Sequence, residues 1–228
     1  PNVLVVDPTG DTDLDVVFQA GNEVGLGATT LRNIITHLQT VYCQSIGVEF
    51  SHLRNKEEIE WLKSYLHKNN NQPNFSFEQK RKILNKLNSA IEFENFVHKK
   101  FVGQKRFSVE GGESIIPCLD YLLDMCMDEK IKDVVIGMAH RGRLNVLSNI
   151  LGKDYEDIFN ELKGKDFEGD LFDGDVIYHL GFSNSIKNKN HRMVVNLCPN
   201  PSHLESVGPV VQGICRSKID KDKMNYDK

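Results

Sequence analysis

The stretch KDVVIGMAHRGRLNVLSNILG, residues 132–152, decides the fold class. DVVIGM (133–138) is a short, continuously apolar, β-branched run, the pattern of a strand covered on both faces. AHRGR (139–143) interrupts it, and Leu144, Leu147, Ile150 and Leu151 then recur at helical spacing. Strand, tight turn and amphipathic helix together make the repeating unit of a parallel α/β sheet. DVIYHL (175–180) and HRMVVNL (191–197) are the next strand candidates, and beyond PNPSHLE (199–205) a helix or irregular segment carries Val210, Val211 and Ile214. Upstream, a helix with Pro117 near its first turn buries Ile116, Leu119, Leu123 and Cys126.

Before this region the texture is helical. ATTLRNIITHLQTVY from Ala28 puts Leu31, Ile34, Ile35, Leu38, Val41 and Tyr42 on one face. Asn55 with Glu58, Ser76 with Gln79, and Ser89 with Glu92 each spell a capping box and so a helix start. NNNQPN (69–74) breaks the pattern as a polar loop. The expected organisation is α/β: a helical amino-terminal region over residues 1–100, then, over 101–228, the first part of a parallel-sheet domain.

The 228 residues are 39% hydrophobic and 26% charged, enough for one large or two small domains. A net charge of -4 with no long run of one sign argues against nucleic acid or an anionic membrane as partner. No apolar stretch reaches membrane-spanning length, and PNVLVVDPTG lacks a secretory pattern. Five cysteines, odd in number and widely spaced, read as reduced thiols of a cytoplasm or mitochondrial matrix rather than as a disulfide framework or zinc site. No metal ligands are assigned.

His37, His52, His67 and His98 fall among the helices and are read as surface or interface residues. Three of the other four stand at comparable places: His140 after DVVIGM, His179 closing DVIY, and His203 in the loop after MVVNLCPN. In open parallel sheets the loops beyond the carboxyl ends of the strands converge on a pocket. Imidazoles suit such a pocket because they donate, accept and titrate near neutrality. In AHRGR, Gly142 permits a tight turn into a helix, and a helix start flanked by guanidinium groups favours a phosphate or carboxylate. The plain alternative, that Arg141 or Arg143 pairs with a surface carboxylate, fits the spacing equally well. PNPSHLE has two prolines around Asn200, which stiffens the loop and can hold Ser202 or His203 in one geometry; an ordinary proline turn has the same spelling.

FVGQKRFSVEGGESIIP (101–117), VIGMAHRGRLNVLSNILGK (135–153), GDVIYHLGFS (174–183) and NPSHLESVGPVV (200–211) closely resemble the decarboxylating first component of 2-oxoglutarate dehydrogenase, and TVYCQSIGVEF (40–50) is similar to the helical region preceding that family's first catalytic domain. The resemblance implies a thiamine-diphosphate-dependent oxidoreductase of the tricarboxylic acid cycle. That enzyme decarboxylates 2-oxoglutarate and passes the succinyl group to a lipoyl group of a multienzyme complex. The cofactor is the electron sink, and the protein supplies placement and charge. Carried over by motif, Arg141, Ser202 and Leu204 would hold thiamine diphosphate; His140, His179 and Ser202 would bind substrate; and His140, His179 and His203 would be the catalytic set. His179 would donate a hydrogen bond to a carboxylate or keto oxygen. Mg2+ would be held by a segment expected shortly after the equivalent of Ile219, beyond KIDKDKMNYDK, so the chain alone is expected to be inactive. Implied partners are dihydrolipoyl succinyltransferase, dihydrolipoyl dehydrogenase and a second copy of the full-length parent; the implied compartment is a bacterial cytoplasm or the mitochondrial matrix. A 2-oxoadipate-specific relative and a non-catalytic assembly fragment are the competing readings.

Overall fold

The computed structural model describes residues 13–19, 24–163, 178–188 and 191–221. The chain forms two compact units, Pro1–Ser76 and Phe77–Lys228.

In the first unit, β1 (Val17–Phe18) and β2 (Thr29–Thr30) pair antiparallel. They lead into α1 (Leu31–Tyr42), where the Thr30 side chain caps the helix by accepting from the Asn33 amide. α2 (Lys56–Lys68) starts as its sequence spells: Asn55 Oδ1 accepts from the Glu57 amide at 3.0 Å, and its Nδ2 donates to Glu58 at 3.4 Å. Val41 and Leu66 are buried. The two helices are tied by His67, whose ring stacks on His37 and lies 2.9 Å from it, nitrogen to nitrogen, with the Tyr42 hydroxyl on its other nitrogen.

The second unit begins with α3 (Phe77–Lys100), one continuous helix of 24 residues. The helix start expected at Ser89 does not exist, because Ala90, Phe93 and Val97 carry the buried stripe straight through it. α4 (Ile115–Asp128) adds Ile116, Pro117, Leu123 and Met127 to the core. Lys86 of α3 meets Asp120 of α4 at 2.9 Å. β3 (Asp133–Ile136), α5 (Arg143–Asn149) and α6 (Tyr155–Leu162) follow, then β4 (Phe182–Lys187), β5 (Arg192–Leu197) and α7 (Val207–Lys221). α7 lies so close to the end of β3 that a Cβ on Gly137 would come within 2.5 Å of Val211.

The strands form a sheet of order β3-β5-β4, and here the sequence-based expectation needs correcting. β3 and β5 are parallel, Asp133 opposite Val194 through Ile136 opposite Leu197. β4, however, runs antiparallel to β5, Phe182 opposite Leu197 through Lys187 opposite Arg192. The sheet is mixed because only a hairpin joins β4 to β5, and a parallel connection needs a crossover of a dozen residues or more. The strand also lies later than DVIYHL: Tyr178 to Leu180 form a turn, while residues 175–177 fall outside the described residues. β3 is half-buried along its length rather than fully covered, and the central β5 is the strand with buried alternate positions. No helix among the described residues is long and apolar enough to cross a membrane.

Candidate functional site

Antiparallel pairing places His179 at the same sheet edge as the other candidates. β4 starts where β5 ends, with Phe182 opposite Leu197. The turn before β4 therefore lies beside the loop after β5, and the end of β3, from which the His140 loop leaves, is tied there by Cys198 N–H donating to the Ile136 carbonyl at 2.8 Å. His140, His179 and Ser202 thus come from three loops on one edge, although His179 precedes its strand instead of closing one.

The His179 turn and the proline loop are laced together around Asn200, which is buried. Its amide donates to the His179 carbonyl at 3.0 Å and its Nδ2 to the Tyr178 carbonyl at 3.3 Å. Its Oδ1 accepts from the Ser202 amide at 3.0 Å. That last bond holds Ser202 at φ 65°, a left-handed conformation uncommon for a residue with a Cβ. The Ser202 hydroxyl in turn lies 2.9 Å from His179 Nδ1 and 3.1 Å from Nε2.

His179 Nδ1 is also 2.8 Å from the Asn200 carbonyl oxygen. A carbonyl only accepts, so this contact places the proton of the neutral ring on Nδ1. Nε2 is then an acceptor, able to take a hydrogen bond from the Ser202 hydroxyl, and it donates only after gaining a proton.

His140 reaches this cluster through an aromatic bridge. Its ring centroid is 4.1 Å from that of Phe107, which meets Tyr178 edge-on at 4.8 Å. Tyr178 is buried and its hydroxyl donates to the Lys105 carbonyl at 2.6 Å. The Phe107 loop is fastened to AHRGR from both sides. Gly142 N–H donates to the Phe107 carbonyl at 2.7 Å, and Arg141 Nη1 donates to the Ser108 carbonyl at 3.0 Å. Gly142 has φ 72°, and a Cβ there would stand 2.8 Å from Val109 Cγ2, so both conformation and space demand glycine.

The two arginines of AHRGR part company. Arg141 is exposed, with its Nη1 bonded to the Ser108 carbonyl. Arg143 is fully buried and donates to the carbonyls of Met138, Leu180 and Cys198 at 3.2, 2.7 and 2.6 Å. No carboxylate pairs with it among the described residues. Burial pulls its pKa down to about 10, which leaves it a cation at neutral pH. His203 and Leu204 stand on the surface, Leu204 being 78% exposed.

Sequence reasoning left Phe107, Tyr178 and Asn200 without a role, and it read Arg143 as flanking an anion site or pairing with a surface carboxylate, which its burial against three backbone carbonyls corrects. The prolines flanking Asn200 were the one available signal, since they marked the loop as stiff. Nothing in the spelling of AHRGR says which arginine turns inward.

No family model matches the chain. Curated relatives match almost all of it. The 2-oxoglutarate dehydrogenase E1 component of Cupriavidus necator is 42% identical over 92% of this chain, and that of Geobacillus sp. is 46% identical over 84%. The 2-oxoglutarate dehydrogenase E1/E2 component of Corynebacterium glutamicum is 43% identical over 91%. Over the span it covers, the chain is similar to 2-oxoglutarate dehydrogenase E1 components. It spans 22%, 21% and 17% of those relatives' own lengths, so it corresponds to about a fifth of such a protein. The E1 resemblance runs through all three loops that meet at the sheet edge.

Proposed function

We propose that this chain supplies one wall of a 2-oxoglutarate-decarboxylating site, as part of an E1-type component that passes the succinyl group to a lipoyl group. The observation that carries the reading is identity above 40% to E1 components over about nine-tenths of the chain. In this reading residues 1–100 are the helical lead-in and 101–228 the first part of a thiamine-diphosphate-binding domain. The complete polypeptide works as a homodimer in the bacterial cytoplasm, with the succinyltransferase and dihydrolipoyl dehydrogenase components as partners.

The donor set suits one end of the cofactor. Arg141 is an exposed cation for an anion, Ser202 offers a hydroxyl beside His179, and Leu204 an exposed apolar surface two residues on. Those three would hold thiamine diphosphate, which when bound supplies the electron sink for decarboxylation. The metal end has no such match: no group of three His, Cys, Asp or Glu among the described residues could hold an ion. Mg2+ is therefore assigned no ligands here.

The chain's own residues act by placement. The Asn200 carbonyl holds Nδ1 of His179, which fixes the ring and aims Nε2 away from that bond. Carrying a proton, Nε2 donates to a carboxylate or keto oxygen of the 2-oxo acid. Ser202 orders the same oxygen or the ring itself. His140, packed on Phe107, adds a second imidazole for the substrate, and His203 completes the catalytic set from the surface of the loop.

The test is carbon dioxide release by the complete polypeptide, supplied with thiamine diphosphate and Mg2+, from 2-oxoglutarate, 2-oxoadipate and pyruvate. Preferred turnover of 2-oxoglutarate is expected. Preference for 2-oxoadipate reassigns the substrate, and no release from any 2-oxo acid overturns the proposal.

A further inference from the structure

Among the described residues the deeply buried Arg143 has no carboxylate partner, which leaves its task to be found in what it touches. Its guanidinium donates to Met138, Leu180 and Cys198, all through their backbone carbonyls. Met138 lies in the loop after β3, two positions before His140. Leu180 follows His179 directly. Cys198 opens the loop after β5, two positions before Asn200, which fixes both His179 and Ser202.

We propose that Arg143 is a positioning residue: one planar cation that pins the three loops carrying His140, His179 and Ser202 at a set separation. This rests on the reading of that edge as the 2-oxo-acid site. Arginine suits the role because its donors form a rigid fork able to reach carbonyls in different directions. Lysine would present a single point of charge on a flexible stem. The scaffold is built for the inward position. Gly142 at φ 72° turns the chain so that Arg143 opens α5 facing the sheet edge, and Asn145, equally buried, anchors the same helix to α3 through the Ala90 carbonyl and Glu94 at 3.0 Å each. A merely structural core cation would need none of its bonds on the loops of one site.

The experiment uses imidazole nitrogen-15 NMR on the 228-residue chain. The native protein is expected to show His179 in a single tautomer with the proton on Nδ1, and Arg143 Nη protons that are slow to exchange and mutually inequivalent. Arg143→Ala and Arg143→Lys should lose the single-tautomer pattern, the two ring-nitrogen shifts moving toward each other. Guanidinium added far below denaturing concentrations should restore it in Arg143→Ala and leave Arg143→Lys unchanged. Leu147→Ala serves as the control: it removes a buried side chain from the same helix and none of the Arg143 hydrogen bonds, and should keep the tautomer. A His179 tautomer unaffected by Arg143→Lys overturns the proposal, as does loss of the pattern in Leu147→Ala. Should both Arg143 variants fail to fold, the native Arg143 signals decide, because freely averaged Nη protons are incompatible with a clamp. Adding 2-oxoglutarate to the native chain separates the two claims: an Arg143 effect without a His179 response to the acid keeps the clamp and removes the site reading.

Discussion

Replacing Asn200 with alanine removes two side-chain hydrogen bonds and leaves the backbone bond from its amide to the His179 carbonyl in place. Each neutral bond contributes a net 0.5–1.5 kcal/mol, so local opening of the proline loop becomes easier by about 1–3 kcal/mol. The left-handed conformation of Ser202 adds to the effect. At φ 65° it is sustained by the bond to Asn200 Oδ1, and without that bond the residue relaxes toward an ordinary conformation. With tenfold for each 1.4 kcal/mol, amide exchange at Ser202 should accelerate roughly 5- to 150-fold. The assay is residue-resolved hydrogen exchange, with Asn200→Asp as comparison. Aspartate keeps an acceptor for the Ser202 amide but loses the donor to Tyr178, so protection at Ser202 should survive in that variant. Unchanged Ser202 exchange in Asn200→Ala would refute the reasoning, since the side chain would then not be what holds the loop.

Gly142→Ala should destabilise the second unit by about 2–5 kcal/mol, from left-handed strain plus overpacking on Val109. Urea unfolding followed by circular dichroism measures it, and a cost below 1 kcal/mol would show that the turn relaxes freely. The first unit should lose stability in mild acid. The His67 pKa is lowered by burial, then by His37 and Lys63, so the folded state resists the proton that the unfolded chain accepts. Its contribution is therefore complete above the ordinary histidine value of about 6.5 and declines as pH falls through that value toward the lower folded one. Trp61, the one tryptophan, lies in α2 and reports this unit by fluorescence. Urea midpoints that are the same at pH 5 and pH 7.5 would contradict it.

Much of this was legible in the sequence where one local rule governed. DVVIGM followed by AHRGR reads as a strand, a turn and a helix starting near Arg143 or Leu144, and Asn55 as the cap of α2, because period and cap chemistry are local. Ser89 misled because a capping-box spelling inside a continuing apolar stripe is overridden by packing. β4 was misplaced because FSNSIK, with its serines and asparagines, looks less like a strand than DVIY does; its partner β5 and a short hairpin made it one. The edge position of His179 followed from the wrong geometry, a parallel strand ending there, yet the antiparallel strand delivers it to the same place. The inward turn of Arg143 and the role of Asn200 depend on contacts across tens of residues, which no local pattern encodes.

The most direct test of the site is kcat/KM for 2-oxoglutarate in the complete polypeptide, native against His179→Ala. Loss of one charge-assisted hydrogen bond to the substrate, about 1.4 kcal/mol or more, should lower kcat/KM at least about tenfold while the affinity for thiamine diphosphate changes far less. An unaltered kcat/KM would remove His179 from the site and with it the central claim that this sheet edge receives the 2-oxo acid.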